Sequence, residues 1–289
     1  MADTHTTVAT DMRPPTPRKR RPFSTGSVVM GVVVTLICLF IAAPLVVVAL
    51  ASVTETGYLT FPPQGFSMRW YQQILDTPGF VDAFVTSLQL AAVTTVISVL
   101  ICVPAAYAIN RYSSRTTRSL EQVFLSPLIL PAVVLGLGLL FVLSRTGWSG
   151  TFEGGVLAHV IIASPFVIRA VLAGMRRIDP RLEEASRSLG AGPLRTFFRV
   201  VVPSIGGSIV SGAVFAFVVS FDEAVVTLFI TGPDFVTLPV AIFTYVQYSA
   251  DPTVAAASTV LVAMSLVMVC LVMWLGSGEE RREQKRNRP

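Results

Sequence analysis

Charged residues are scarce in this sequence. Aspartate, glutamate, lysine and arginine make up 13% of its 289 residues, against about 25% in soluble globular domains. Hydrophobic residues make up 53%, and the mean hydropathy is +0.68. Because a soluble fold of this length needs more surface charge, the composition excludes an ordinary soluble protein and predicts a membrane protein.

Histidine and cysteine are also rare. The sequence has two histidines, His5 and His159, and three cysteines, none of them at metal-ligand spacing. It has no His-Glu-x-x-His motif, no Gly-x-Ser-x-Gly motif and no Gly-x-x-x-x-Gly-Lys-Ser/Thr loop. It therefore predicts no catalytic residue, no metal site and no cofactor bound by this chain, and it argues against a membrane-embedded enzyme or an ATPase. We expect His159 to hydrogen-bond between helices rather than bind a metal.

Six apolar runs are long enough to cross a bilayer, which takes about 20 residues of helix. They are Val28–Ala51, Phe84–Ile109, Val123–Leu143, Gly155–Met175, Ile205–Ile230 and Val254–Leu275. The runs predict an all-α integral membrane fold with six transmembrane helices. We expect the prolines inside them to be tolerated, because neighbouring helices can satisfy the freed backbone groups. The first run is too long for a cleaved signal peptide and is predicted to be an anchor.

Lysine and arginine are distributed asymmetrically. All but Arg69 and Arg145 of the 22 basic residues belong to the two termini, to the connections after the second and fourth runs, or to the adjoining end of the fourth run. Cytoplasmic loops carry such an excess, so both termini are predicted to be cytoplasmic. Membrane orientation also accounts for the pI of about 9.4 without a nucleic-acid partner.

The same pattern predicts three regions. Residues 1–22 form a disordered basic cytoplasmic tail, residues 23–277 form the transmembrane domain, and residues 278–289 form a second basic cytoplasmic tail. The longest cytoplasmic loop covers residues 176–203.

This loop is predicted to contain a short helix. Asp179 offers an N-cap acceptor and Pro180 suits the first helical position, while Gly190 and Pro193 predict a sharp end. The predicted helix therefore covers Arg181–Leu189. From these residues alone, it either lies on the lipid surface or contacts another protein.

The loop resembles the EAA loop of permeases in ATP-binding-cassette importers. The resemblance rests on Glu184-Ala185-Ser186, Gly190 and Val200-x-Val202-Pro203 at the family's spacing. Ser186 replaces the family's second alanine, and valines replace isoleucine and leucine. The resemblance implies that this loop is the coupling helix, which docks in a cleft of a cytoplasmic ATPase subunit.

The resemblance also implies roles for individual residues. The ATPase-coupling candidates are Glu183, Glu184, Ala185, Arg187, Gly190 and Pro203. Glu184 would pair with a basic group of the ATPase, Ala185 would keep the docking face small, and Gly190 would permit the turn. Arg187 has two interpretations, a polar contact with the ATPase or an i,i+4 partner of Glu183.

A permease of this kind implies a larger assembly. The resemblance implies a type I importer permease fold in the bacterial inner membrane, forming half of the translocation pathway beside a second permease chain. Two ATPase subunits would bind ATP and Mg²⁺, and an extracytoplasmic binding protein would deliver substrate. A secondary transporter is the alternative from another class. Such transporters commonly carry inverted repeats, and we find no convincing repeat in this sequence.

Over nearly its whole length the chain resembles the spermidine/putrescine branch of these permeases. The stretches concerned are Gly65–Tyr71, Ser220–Pro233, Thr237–Pro239 and Asp251–Val254. They are less specific than the EAA loop, because branches for ferric iron, sulfur anions, opines and aminophosphonates have similar stretches.

Asp222 and Glu223 are adjacent acids inside the fifth apolar run. Ionisable groups in a membrane helix are costly and usually face a polar cavity, and carboxylates beside aromatic rings such as Phe221 suit a polycation. Because adjacent helix positions diverge by about 100°, the two acids cannot point the same way. These three residues are candidates for the substrate pathway, or the acids form a buried polar pair at a subunit interface.

Overall fold

The computed structural model describes residues 25–112, 114–249 and 251–286, so the predicted tail over residues 1–22 lies outside it. The α-helices are α1 (Thr25–Ala51), α2 (Arg69–Asp76), α3 (Phe80–Arg111), α4 (Arg115–Leu125), α5 (Ala132–Thr146), α6 (Phe152–Met175), α7 (Arg181–Ser188), α8 (Pro193–Thr196), α9 (Val202–Ser204), α10 (Gly206–Asp222), α11 (Val225–Ile230), α12 (Leu238–Tyr248) and α13 (Thr253–Arg286). The chain divides into two compact units, Met1–Val46 and Val47–Pro289.

Four helices of the described residues are long and apolar enough to cross a membrane. They contain the spans Val29–Ala51, Phe80–Arg111, Phe152–Met175 and Thr253–Cys270. Two bent pairs pass the same test together, Arg115–Leu128 with Ala132–Thr146 and Pro193–Ser204 with Gly206–Asp222. The predicted number of six is reached when each bent pair counts as one span. The last helix continues to Arg286, beyond the predicted Leu275.

The prediction of one continuous helix over Val123–Leu143 is wrong. A 3₁₀ turn at Ser126–Leu128 follows α4, and α5 starts after Pro131 at an angle of 107° to the helix before it. Pro131 has no N–H to give to the preceding turn, and it favours an extended residue before it. Pro127 lies in the 3₁₀ turn itself, whereas the prolines of the first, second and fourth runs, Pro44, Pro104 and Pro165, lie inside unbroken helices as expected.

The prediction of one continuous helix over Ile205–Ile230 is also wrong. α10 ends at Asp222, Glu223 has extended backbone angles, and α11 starts at Val225. Polar contacts of Glu223, described below, stabilise the new helix start. The hydropathy pattern left residues 231–248 unassigned. They form a tight turn, in which Gly232 and Phe235 make a β-bridge, and then the helix α12.

The largest apolar core lies where α3, α6 and α10 pack together. Its fully buried members include Cys102, Val167 and Ala216, one from each helix. Small residues allow the backbones to approach closely. A Cβ added at Gly212 of α10 would lie 3.3 Å from the Cα of Val167.

At the opposite end of the bundle from α7, two loops touch through glycine. A Cβ added at Gly232, after α11, would lie 2.6 Å from the Cα of Gly150, between α5 and α6. The Gly150 N–H also donates to the Ile230 carbonyl at 3.1 Å. The two loops are therefore joined backbone to backbone.

Candidate functional site

The predicted loop helix is α7, one residue shorter than expected at its C-terminal end. The Asp179 carboxylate accepts from the Arg181 N–H at 3.0 Å. At the other end Gly190 has φ +82°, and the Ala191 N–H donates to the Ser186 carbonyl at 3.1 Å, as in a Schellman motif. A Cβ at Gly190 would meet nothing within 4 Å. Glycine is therefore needed there for its left-handed backbone rather than for space.

One face of α7 is attached to the transmembrane helix α3. Glu183 is only 9% exposed, and its Oε2 accepts from the Tyr107 hydroxyl at 3.0 Å. The same oxygen lies 3.6 Å from Arg111 Nε and 3.8 Å from an Arg187 guanidinium nitrogen. The intrahelical interpretation of Arg187 is thus observed. Glu183 contacts its own chain, and no local sequence signal predicts its partners Tyr107 and Arg111.

A second attachment connects α7 to the helices that lead into α10. The Ser186 and Thr196 hydroxyls lie 3.1 Å apart, and Thr196 is fully buried. A π-helical turn over Phe197–Val201 follows, just before Pro203, which has no N–H for a normal helical turn. Pro203 itself is exposed in α9.

Several side chains of α7, α8 and the segments next to them are exposed among the residues that the structure describes. Glu184 and Ala185 are exposed. Leu182, Leu194 and Phe198 are exposed apolar residues, and Leu189 reaches 89% exposure. We call these four apolar residues the apolar loop patch. Exposed apolar side chains concentrated in one short segment favour a protein interaction site.

Asp222, one of the two adjacent acids, lies at the exposed C-terminal end of α10. The Ser265 hydroxyl of α13 lies 3.0 Å from both of its carboxylate oxygens. The Asp222 carboxylate stays exposed in the isolated chain. Ser265 is a functional candidate that the sequence analysis missed, although it is a polar residue in an apolar run.

Glu223 has a different role. Its Oε1 accepts from the Val226 N–H at 2.9 Å, and its carbonyl accepts from the Thr227 hydroxyl at 3.0 Å. The first contact satisfies a backbone donor at the start of α11, and the second holds the Thr227 side chain of the same helix. The predicted divergence of the two acids is observed, but the cause is the break between α10 and α11 rather than the helical period.

Phe221 is buried beneath Asp222, with 1% exposure. Its ring stacks on Phe217 at 5.9 Å and meets Phe84 edge to face at 6.2 Å. These are packing contacts within this chain. The ring of Phe221 therefore offers no exposed surface for the pathway role that the sequence suggested.

His159 bridges the break in the fifth run. Its Nδ1 lies 2.8 Å from the Ser220 hydroxyl of α10, and its Nε2 lies 2.9 Å from the Thr227 hydroxyl of α11. The expected hydrogen bond between helices is present. Within the described part of the chain, no group of three or more His, Cys, Asp or Glu side chains is placed to hold a metal ion.

Comparison with known families gives a direct match. The family model described as binding-protein-dependent transport system inner membrane component matches residues 98–281, which include α7 and both acids. A chain of a bacterial alginate ABC transporter, solved with an alginate-pentasaccharide-bound periplasmic protein, has a TM-score of 0.66 at 16% identity. The match covers 85% of this chain and 92% of that one, and it supports the fold.

Curated relatives match most of the chain. The putrescine permease protein PotI of Escherichia coli K12 is 29% identical over 81% of this chain and 85% of its own length. The spermidine/putrescine permease protein PotC of the same organism is 27% identical over 84% and 92%. PhnV of Salmonella choleraesuis, named for 2-aminoethylphosphonate transport, is 30% identical over 87% and 97%.

These relatives are transport subunits rather than enzymes, and ATP hydrolysis in such systems belongs to a separate subunit. The chain belongs to the family of binding-protein-dependent transport system inner membrane components and is a multi-pass inner-membrane permease subunit of an ABC importer.

Proposed function

We propose that this permease forms half of a translocation pathway for polyamines and that Asp222 contacts the substrate. A second permease chain completes the pathway, and both termini of this chain are cytoplasmic. An extracytoplasmic binding protein delivers the substrate. The similarity to PotI and PotC supports the substrate class.

The exposed carboxylate of Asp222 is the observation that carries this proposal. An ionisable group among apolar helices is costly unless it faces a polar cavity or a partner. In this chain the Ser265 hydroxyl is its one described side-chain partner, so the carboxylate keeps acceptor capacity for a cation. Glu223 is occupied at the start of α11, and we assign it to structure.

The test is ATP hydrolysis by the complete complex in lipid with its binding protein. Putrescine, spermidine, 2-aminoethylphosphonate and ferric iron are compared as substrates, first with the wild type and then with Asp222→Asn. We expect stimulation by a polyamine, and we expect Asp222→Asn to lower polyamine uptake by about tenfold, the loss of one charged contact. Glu153→Gln removes an exposed acid at the start of α6 and serves as the matched control.

Two results would contradict the proposal. Equal uptake by Asp222→Asn and the wild type would remove Asp222 from the pathway. Stimulation by 2-aminoethylphosphonate alone would establish the second candidate function, which the similarity to PhnV over 97% of its length favours. In that case the single ammonium group of 2-aminoethylphosphonate would replace the polyamine as the cation available to Asp222.

We also propose that the apolar loop patch and Glu184 dock on a cytoplasmic ATPase subunit, two of which bind ATP and Mg²⁺ for the complex. The exposure of Leu189 at the tip of the patch supports this contact. Leu189→Asp places a charge in the apolar interface, so we expect the ATPase to be lost on co-purification. Leu75→Asp changes a 70% exposed leucine on α2 and should retain the ATPase. Equal retention by both variants would refute the docking site.

A further inference from the structure

The two adjacent glutamates of α7 have opposite surroundings. Glu184 is exposed, whereas Glu183 is buried against α3. Tyr107 and Arg111 lie four positions apart in the last turns of α3, so both side chains are on one face of that helix. Glu183 is therefore held by two residues of one helix as well as by Arg187 of its own helix.

Helix α3 connects this cluster with the opposite end of the molecule. It runs for 32 residues without a break, about 48 Å at 1.5 Å per residue. Near its other end, Phe84 meets Phe221 edge to face, and Phe221 directly precedes Asp222. One continuous helix therefore has α7 at one end and the neighbourhood of the proposed substrate contact at the other.

We propose that Glu183 is the positioning residue that locks α7 to α3, so that a displacement of α7 by the ATPase moves α3 and the outer acid site. This inference rests on the docking of α7 proposed above. A charge-assisted hydrogen bond fixes both distance and direction, and a carboxylate that is buried and multiply paired resists separation from its partners. Glu183 acts through α3 and does not contact substrate.

The second attachment of α7 provides an internal control. Ser186 bonds to Thr196, but the chain from Thr196 to α10 passes through a π-helical turn and a bend of 75°. A route with such interruptions transmits a displacement less directly than one unbroken helix. Loss of the Ser186 contact should therefore matter less than loss of the Glu183 contact.

The experiment measures substrate molecules imported per ATP hydrolysed, in liposomes containing the full complex and its binding protein. We expect Glu183→Gln to keep the wild-type amount of co-purified ATPase and to lower import per ATP by about tenfold. Ser186→Ala should change the ratio by less than about twofold. Glu184→Gln should reduce the amount of bound ATPase instead.

A spectroscopic measurement separates positioning from a general loss of stability. Spin labels at positions 112 and 188, both exposed in the wild type, report the distance between the end of α3 and the C-terminal end of α7. The distance distribution should broaden in Glu183→Gln and stay narrow in Ser186→Ala. Tyr107→Phe removes the hydroxyl partner of Glu183 and should give the same broadening and a smaller loss of coupling, so it replaces Glu183→Gln if that variant does not assemble.

Each contrary result has a distinct meaning. Unchanged import per ATP in Glu183→Gln, or an equal loss in Ser186→Ala, would overturn the positioning role. A loss of bound ATPase in Glu183→Gln as large as that in Glu184→Gln would make Glu183 a docking contact and would also overturn it. Failure of the wild-type chain to bind an ATPase would instead refute the docking proposal, and it would be seen before any variant is made.

Discussion

The two candidate sites each contain a pair of adjacent acids, Glu183 with Glu184 in α7 and Asp222 with Glu223 at the end of α10, and each of these pairs divides its roles in the same way. One member is committed to the chain's own structure: Glu183 to Tyr107 and Arg111 of α3, and Glu223 to the start of α11. The other member keeps an exposed carboxylate. Adjacent acids with the same chemistry therefore differ in role because the backbone presents them to different neighbours.

The two pairs differ in what their structural member holds. Glu183 joins elements that are 76 positions apart in the sequence, so its contact is tertiary. Glu223 bonds a backbone N–H three positions away, so its contact is local. We therefore expect the loss of Glu183 to be felt across the fold and the loss of Glu223 to be confined to α11.

The largest effect on stability is expected from the substitution of Glu183 in the first pair. Glu183→Ala leaves the Tyr107 hydroxyl and Arg111 without their partner, which should lower the free energy of unfolding by about 2 kcal/mol. Glu184→Ala removes an exposed side chain and should change it by less than about 0.5 kcal/mol. Thermal unfolding of both variants in detergent measures the difference, and equal shifts would end the distinction between the two glutamates.

The next effect concerns His159, which joins α10 to α11 across the break at Glu223. His159→Leu leaves the Ser220 and Thr227 hydroxyls without the imidazole that joins them, and we expect a cost of about 1.5 kcal/mol because the Thr227 hydroxyl keeps its bond to the Glu223 carbonyl. Hydrogen exchange of the α11 amides should accelerate more than that of the α6 amides. His159→Gln, which can both donate and accept, should recover part of the loss. Uniform acceleration throughout the bundle would show that His159 serves general packing instead.

A smaller effect is expected within the second pair. Glu223→Ala removes the acceptor for the Val226 N–H, and loss of such a cap costs about 1 kcal/mol. Glu223→Gln keeps an acceptor oxygen and should lie close to the wild type in unfolding temperature. If Glu223→Gln were as unstable as Glu223→Ala, the charge rather than the cap would explain the role of Glu223.

The smallest effect extends the comparison to Asp251, an acid just before α13. The Asp251 carboxylate accepts from the Tyr245 hydroxyl at 2.7 Å, and burial together with this neighbour raises the pKa of Tyr245 above its usual value of 10.0. The folded chain therefore keeps the phenolic proton at pH values where the unfolded chain has lost it. This contribution to stability is complete below pH 10 and disappears as the pH rises through the higher native pKa.

Tyr245→Phe removes both the hydrogen bond and this titration. We expect a loss of about 0.5 kcal/mol at neutral pH and a flatter dependence of the unfolding temperature on pH above 10. Tyr248→Phe, an exposed tyrosine of the same helix, is the matched control. Identical pH profiles for the wild type and Tyr245→Phe would contradict the assignment.

Hydropathy predicted the spans that are straight and failed at the spans that bend. The bounds expected for the second and fourth runs lie within a few residues of α3 and α6, because transfer of apolar side chains into lipid decides those segments. The breaks at Pro131 and Glu223 depend on backbone direction, which an apolar run does not encode. The available signal for the first break was Pro131, which follows the Ser126-Pro127 pair. The available signal for the second break was Glu223, an acid inside an apolar run.

The sites show the same limit. α7 was predicted to within one residue, because capping is local and Asp179, Pro180 and Gly190 all lie at its ends. The distinction between Glu183 and Glu184 was not predictable, because it depends on the position of Tyr107 in another helix. The partner of Asp222, Ser265, is likewise set by how α10 and α13 pack.

The glycine contact between the loops that contain Gly150 and Gly232 has a practical consequence for labelling the protein. Because Gly150 and Gly232 touch at their backbones, a fluorophore on the exposed Asp234 would follow the loop that begins α6 as well as its own. An epitope inserted beside Gly150 or Gly232 would push the loops apart and disturb the structure that it was meant to reveal. The reporter therefore belongs on Asp234, and the tag belongs elsewhere.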